Sequence, residues 1–261
     1  LLTKNTTTQM SRRKSEPQKP ELYATKEELK QLHAEVHEMK RHQKHIIKTL
    51  KNQFKGDTLE SALASRNAGL IKNLGKLDAL DHESMNKALS YAVKSDEGLK
   101  DVAFLKAIIK AGANANIKLE NQKTPLFYAA DNFLLGSVNA LLEKGADSDV
   151  VDDQWCNALL SCLTVYCNKQ KAGEELPSEA AVVDVVKALL KAECFVDCQN
   201  TLTEETPLHK AVEAKLWDVC KVLLLEAKAD AEIKCKGVKV SELARDIPDL
   251  GFLIEDSLKT E

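Results

Sequence analysis

Thr124-Pro125-Leu126-Phe127-Tyr128-Ala129-Ala130 recurs 82 residues later as Thr206-Pro207-Leu208-His209-Lys210-Ala211-Val212. Between them, Asn157-Ala158-Leu159-Leu160-Ser161-Cys162 lies 33 residues after Thr124, and Lys87-Ala88-Leu89-Ser90-Tyr91-Ala92 lies 37 before it. Each copy leads into a second apolar run that ends in small or turn-forming residues: IIKAGANAN (108–116), LLEKGADSD (141–149), LLKAECFVD (189–197) and LLEAKADAE (224–232). Self-similarity at such a period marks stacked supersecondary units, none of which buries its own core alone. Asp57 to Leu77 reads as a degenerate first unit. A last half-copy, Val240 to Ala244, continues into DIPDLGFLIED.

Local chemistry agrees with two helices per unit. A Thr ahead of the first helix can bond a free backbone N–H, and the Pro after it has its φ preset and needs no donor. Leu126, Ala129, Ala130, Val138, Leu141 and Leu142 recur at helical spacing and give apolar faces to both neighbours. Gly112 and Gly145 stand after the second helix, where a left-handed residue is needed. Glu193 and Lys228 hold that place in the weaker copies, so strain is expected there.

This pattern resembles the ankyrin repeat family, whose unit of about 33 residues opens with TPLHxAA and closes its second helix with LLxxGADxN. Residues 124–146 match without a gap, and residues 206–232 match with one extra Leu. Copy one lacks the Thr-Pro and has about four extra residues around Ser95-Asp96-Glu97-Gly98. Copy three has Asn157-Ala158 for Thr-Pro and about fifteen extra residues near CNKQKAGEELPSEAA. The resemblance covers roughly residues 57–255, in four to five units. It implies an all-α ankyrin-repeat solenoid over 57–261, a structural role for His209, and protein binding through the hairpin tips and exposed first-helix positions. Those positions carry Asp147, Asp149, Asp152, Asp153, Gln154 and Trp155, then Asp131 and Asn132, then Glu204, Glu205 and Glu213. Trp155 fills a hairpin slot usually held by Gly. A large aromatic beside carboxylates is the composition of a hot spot for a basic or mixed partner. The alternatives are that Trp155 folds back on its neighbour and that the carboxylates are merely solvated.

The N-terminal part differs. Residues 1–20 are rich in Thr, Ser, Lys, Gln and Pro and cannot bury enough surface to order themselves. They contain Arg12-Arg13-Lys14-Ser15, which makes Ser15 a phosphorylation candidate. The first Met is Met10, so residues 1–9 are candidates for a remnant and the chain for a fragment. Over 21–56, Thr25 with Glu28 reads as a capping box. Leu22, Leu29, Leu32, Val36, Met39, Ile46 and Leu50 follow at alternating spacings of a heptad seam, with Gln43 at one core position. This predicts a long amphipathic helix that pairs two chains, or one that lies on the folded body. Ile47 and Phe54 widen the apolar face in favour of the second arrangement.

Net charge of −3 hides an asymmetry: residues 1–56 carry 13 Lys/Arg against 6 Asp/Glu, and residues 57–261 carry 24 against 34. Residues 39–56 hold six cations and no acid among Met39, Ile46, Ile47, Leu50 and Phe54. That composition allows calmodulin, an anionic lipid surface or nucleic acid as partner. A transcription regulator of the inhibitor-of-kappa-B type is a further reading by fold analogy.

No Gly-rich phosphate loop, nucleophile elbow or standard paired-cysteine zinc pattern is present, so no enzyme activity, cofactor or metal is expected. His33 with His37 and His42 with His45 lie at helical spacing with nothing obvious to complete a metal site. Seven cysteines, Cys156, Cys162, Cys167, Cys194, Cys198, Cys220 and Cys235, are scattered. They read as reduced core thiols of a cytoplasmic or nuclear protein. Cys194 and Cys198 fall near a hairpin and within expected reach of Cys156 or Cys162. The leading reading is an adaptor that self-associates through its N-terminal helix and presents an acidic groove to a protein target.

Overall fold

The computed structural model describes residues 30–31, 33–42, 57–76, 81–243, 251 and 254. Contacts divide the chain into two units, Leu1–Lys48 and Thr49–Glu261.

In the first unit, residues 30–31 and 33–42 are helical (α1). Val36 and Met39 of the expected seam are exposed on it, as are His33, His37 and His42. The other seam residues, Leu22, Leu29, Leu32, Ile46 and Leu50, lie outside the described residues, as do Ser15, Thr25, Glu28, Gln43, His45, Ile47 and Phe54.

The second unit is built from helices α2 (Asp57–Ala64), α3 (Ala68–Lys76), α4 (His82–Lys94), α5 (Asp96–Lys100), α6 (Val102–Lys110), α7 (Pro125–Asp131), α8 (Leu135–Leu142), α9 (Ala158–Ala172), α10 (Glu179–Lys191), α11 (Pro207–Glu213), α12 (Trp217–Lys221) and α13 (Val240–Leu243). Only β1 (Lys234–Cys235) and β2 (Val238–Lys239) form a ladder among the described residues, an antiparallel hairpin of two-residue strands. The architecture is therefore all-α with one short hairpin. None of the described helices is long and apolar enough to cross a membrane.

Packing shows the period directly. First helices stack in one layer, α4 on α7, α7 on α9, α9 on α11 and α11 on α13. Second helices stack in another, α3 on α6, α6 on α8, α8 on α10 and α10 on α12. The apolar core runs continuously between the layers: Met85, Leu89, Phe104, Leu126, Leu141, Leu159, Val186, Leu208 and Leu224 are at most 1% exposed. Each helix pair thus covers the next.

The units differ where the repeat is broken. Asn157 replaces Thr without loss, because its side chain accepts the Leu160 N–H. The extra residues of copy three lengthen α9 to 15 residues, ended by Gly173 at φ 70°. Those of copy one form α5, capped by Ser95. The extra Leu of the last full unit is absorbed as a π-helical turn over Val222–Glu226, which leaves Leu225 45% exposed. A π turn takes up one surplus residue without shifting the helices on either side.

One expectation needs correction, and copy one has a cap of its own. The Thr124 side chain makes no cap bond, and its buried hydroxyl has no partner; only Thr206 caps, in a box with His209. The helix of copy one starts at His82, capped by Asp81, rather than at the Lys87 motif, because Asp81 offers its carboxylate to the Ser84 N–H.

Second helices end as expected, in left-handed backbone: Gly112 at φ 112°, Gly145 at φ 82°, Glu193 at φ 60° and Lys228 at φ 57°. Replacing Glu193 or Lys228 with Gly should raise stability by about 0.5–1 kcal/mol, since relief of left-handed strain exceeds the entropy lost with Gly. Leu141→Ala should cost about 2–5 kcal/mol. Leu189→Ala should split the urea transition or lower its slope, because the stack couples only neighbours. A Leu189→Ala melt that keeps one transition of unchanged slope contradicts this.

Candidate functional site

Between successive helix pairs the chain makes a tight hairpin that projects from the stack. Each hairpin is closed by a backbone bond: Leu119 N–H to Lys123 O, Asp152 N–H to Cys156 O and Asn200 N–H to Glu205 O. Tips need left-handed residues, and apart from Gly237 on the last hairpin they are not glycines here: Asn121, Gln122, Trp155, Glu204 and Lys236 all have φ between 49° and 62°. Neighbouring tips are tied together. Asp153 N–H donates to Asn121 O at 3.2 Å, Thr201 N–H to Gln154 O at 3.1 Å, and Lys236 N–H to Glu204 Oε2 at 2.9 Å. The tips therefore form one hydrogen-bonded strip rather than separate loops.

Trp155 and Leu202 stand on adjacent tips, 62% and 72% exposed, on either side of the Gln154–Thr201 bond. Trp155 thus faces solvent instead of folding onto its neighbour. Its carbonyl accepts the Cys198 thiol at 2.9 Å, and Asn200 donates to Gln154 Oε1 at 3.2 Å, so the platform is braced from below. The sequence reading did not single out Leu202; its only signal is an apolar residue inside a polar turn.

The structure sorts the expected carboxylates into two groups, and four of them, Asp131, Asp152, Glu205 and Glu213, already have partners within the chain. Asp131 is not a surface acid: it accepts from Lys123 at 2.8 Å and from Ser161 at 2.8 Å, and its side chain is 14% exposed. Burial pushes its carboxyl above the usual range despite those partners. Asp152 is 9% exposed and shapes its hairpin, accepting the N–H groups of Gln154 and Cys156, each at 2.9 Å. Glu205 and Glu213 are both held by Lys210, whose side chain is 8% exposed, at 2.7 and 3.0 Å. Lys171 adds a third contact, to Glu213 at 2.6 Å. Burial acts to raise the Glu213 carboxyl, but the bonds from Lys171 and Lys210 outweigh it and hold the group below its ordinary value. The first-helix acids are thus neutralised from within.

The second group is still charged toward solvent. Asp147, Asp149, Asp153 and Glu204 are exposed and form no ion pair among the described residues. Asp149 has a structural duty as well, because its carboxylate accepts the Phe195 N–H of the next unit at 2.6 Å. Asn116 does the same for Asp147 at 2.8 Å, and Asp197 for Asp230 at 3.1 Å. Asn132 is exposed and donates to Tyr128 O within its own helix turn.

His209 is structural. Its Nδ1 accepts the Thr206 N–H at 3.3 Å and lies 2.8 Å from the Thr206 hydroxyl, which places the ring proton on Nε2. Nε2 has no partner at full hydrogen-bond geometry and faces the Val238 backbone. Burial lowers the ring's pKa, opposed by the Val238 backbone and Glu205. The ring borders a cavity of about 440 Å³ with Glu205, Val212, Glu213, Cys235, Lys236, Val238 and Leu243.

All seven cysteines are free thiols, and all but Cys235 are buried. Burial raises Cys156 and Cys167 to about 11 and Cys194 and Cys220 to about 12, so none of these four is a nucleophile at neutral pH. Among the described residues no cluster of His, Cys, Asp and Glu is arranged to hold a metal ion.

Comparison with protein-family models matches residues 203–236 to the ankyrin repeat. That stretch runs from one hairpin tip, through α11 and α12, to the next tip. The chain matches no curated protein.

The neutral His209 ring links stability to pH. A pKa held below the free value of about 6.5 means that the unfolded chain takes up the proton first, so stability is present above that pH and is lost as pH falls. Between pH 7 and 5 the wild type should lose more stability in urea melts than His209→Gln. A small alkylating reagent should label at most Cys235 before denaturation; native labelling of Cys194 or Cys220 would contradict their burial.

Proposed function

We propose that this chain, a member of the ankyrin repeat family, is a non-enzymatic adaptor that joins protein partners. On this reading residues 57–261 are one repeat domain: the helix pairs α4–α6, α7–α8 and α9–α10 are further ankyrin units beside the matched one, with α2–α3 and α13 at the ends. Residues 1–20 are a basic tail, and 21–56 supply a helix that pairs two copies.

The observation that carries the binding role is the strip of mutually bonded hairpin tips. It is rigid at the backbone and turns Trp155, Leu202, Asp153 and Glu204 outward. A large indole held 62% exposed gains little from burial, and its left-handed backbone costs stability. Such a residue is accounted for by a contact made with another molecule. The expected target surface is basic or mixed, because the uncompensated charge of the strip is acidic from Asp147 to Glu204. Exposed Val36 and Met39 on α1 support the pairing role, since they fall on one core position each of the heptad seam. Two linked copies would present two surfaces and gain avidity.

Light scattering on the full chain tests self-association. The wild type should be a dimer at tens of micromolar, and a Val36→Lys, Met39→Lys double variant should be a monomer. Affinity purification with quantitative mass spectrometry tests the adaptor role: Trp155→Ala with Asp153→Lys should lose partners that the wild type retains. A partner set unchanged by that pair of substitutions contradicts binding through the tips.

A further inference from the structure

We infer that the adaptor surface recognises an extended peptide segment in which an apolar residue is flanked by Lys or Arg, docked on the Trp155–Leu202 tips rather than in the groove along the first helices. This deepens the preceding reading and rests on it.

The first step is charge. Along the first helices the acids are already paired: Asp131 with Lys123, and Glu213 with Lys210 and Lys171. A cationic partner gains little there, because it would have to displace partly buried internal cations. On the tips the balance differs. Asp153 lies two residues before Trp155, and Glu204 two residues after Leu202. Glu204 Oε2 accepts a backbone N–H, which orients the carboxylate without cancelling its charge. Lys236, on the terminal hairpin, marks where the acidic stretch ends.

The second step is shape. Trp155 and Leu202 each directly follow one residue of the Gln154–Thr201 backbone bond, so two exposed apolar side chains stand on neighbouring tips, with Asp153 bonded toward the preceding tip and Glu204 toward the following one. An apolar side chain of the ligand loses water against the indole and Leu202, and cations on both sides of it meet Asp153 and Glu204. The indole face also favours a cation lying over it. A reversed pattern, with acids around the apolar residue, meets repulsion on both sides.

The third step is strain. Trp155 occupies left-handed backbone at φ 62°, where Gly is the unstrained residue. Trp155→Gly is therefore a variant expected to fold at least as well as the wild type while removing the anchor.

The test uses the full chain and three labelled peptides of equal length, alternating Leu with Lys, with Glu or with Ser, read by fluorescence anisotropy. The Lys peptide should bind, with affinity falling as salt is raised. The Ser peptide should bind much more weakly and the Glu peptide not at all. Trp155→Gly should weaken the Lys peptide about 30-fold, as loss of a hot-spot aromatic does, while its melting temperature stays equal or rises. Leu202→Ser and Asp153→Lys should each weaken it to a lesser degree. Equal binding of the Lys and Glu peptides, or Lys-peptide affinity unchanged in Trp155→Gly, overturns the assignment. If the Lys peptide does not bind but Trp155 remains necessary for partner capture, the assignment fails and the adaptor reading stands.

Discussion

Everything in the repeat stack depends on how one unit is fastened to the next. Two kinds of interaction share that task. Apolar faces of both helix layers meet their neighbours and supply most of the free energy. They are non-directional, however, and do not set the spacing. Spacing comes from side-chain rungs in the loops after the second helices, where Asn116, Asp149 and Asp197 each accept a backbone N–H of the following unit at 2.6–3.1 Å. Within the loops, Asn114 and Asp147 accept the N–H groups of Asn116 and Asp149 two residues on. The loops of Asn116 and Asp149 are thereby shaped to offer their rungs.

This division explains why the chain tolerates irregular units. The rung from Asp149 reaches Phe195 across the long α9 and its following loop, because only the backbone N–H is needed and the side chain at that place is free to change. One surplus Leu is absorbed by a π turn without disturbing Leu223 or Leu224, both at most 1% exposed. Insertions are accommodated outside the fastened positions. The hairpin strip benefits in turn, since its tips are held at a fixed separation by the units below and can present Trp155 and Leu202 as one surface.

Much of this was legible in the residues. Apolar periodicity predicted the helix pairs, and Gly112, Gly145, Glu193 and Lys228 marked the ends of the second helices because that backbone geometry has a recognisable residue preference. The candidate site was less legible, for a physical reason. A carboxylate in a loop reads the same whether it meets water, a partner or its own backbone, and the difference lies in contacts distant in sequence. Asp131 is tied to Ser161 in the next unit, and Glu213 to Lys171 in the preceding one. Asp152 is used by its own hairpin. Trp155 could be singled out because a bulky residue in a turn already conflicts with local preference. Leu202 carries a weaker signal, an apolar residue in a polar turn, and its exposure is what brings it out.

The central claim is that directional rungs between loops, and not apolar contact alone, hold the units in register. Amide hydrogen exchange at Asp147, Phe195 and Asp230 tests it most directly, since these N–H groups belong to no helix or strand ladder. The account predicts slow exchange at all three, with Phe195 accelerated selectively in Asp149→Ala while the α8 and α10 amides stay protected. Exchange at the rate of an unstructured peptide in the wild type, or no change at Phe195 in that variant, would contradict it.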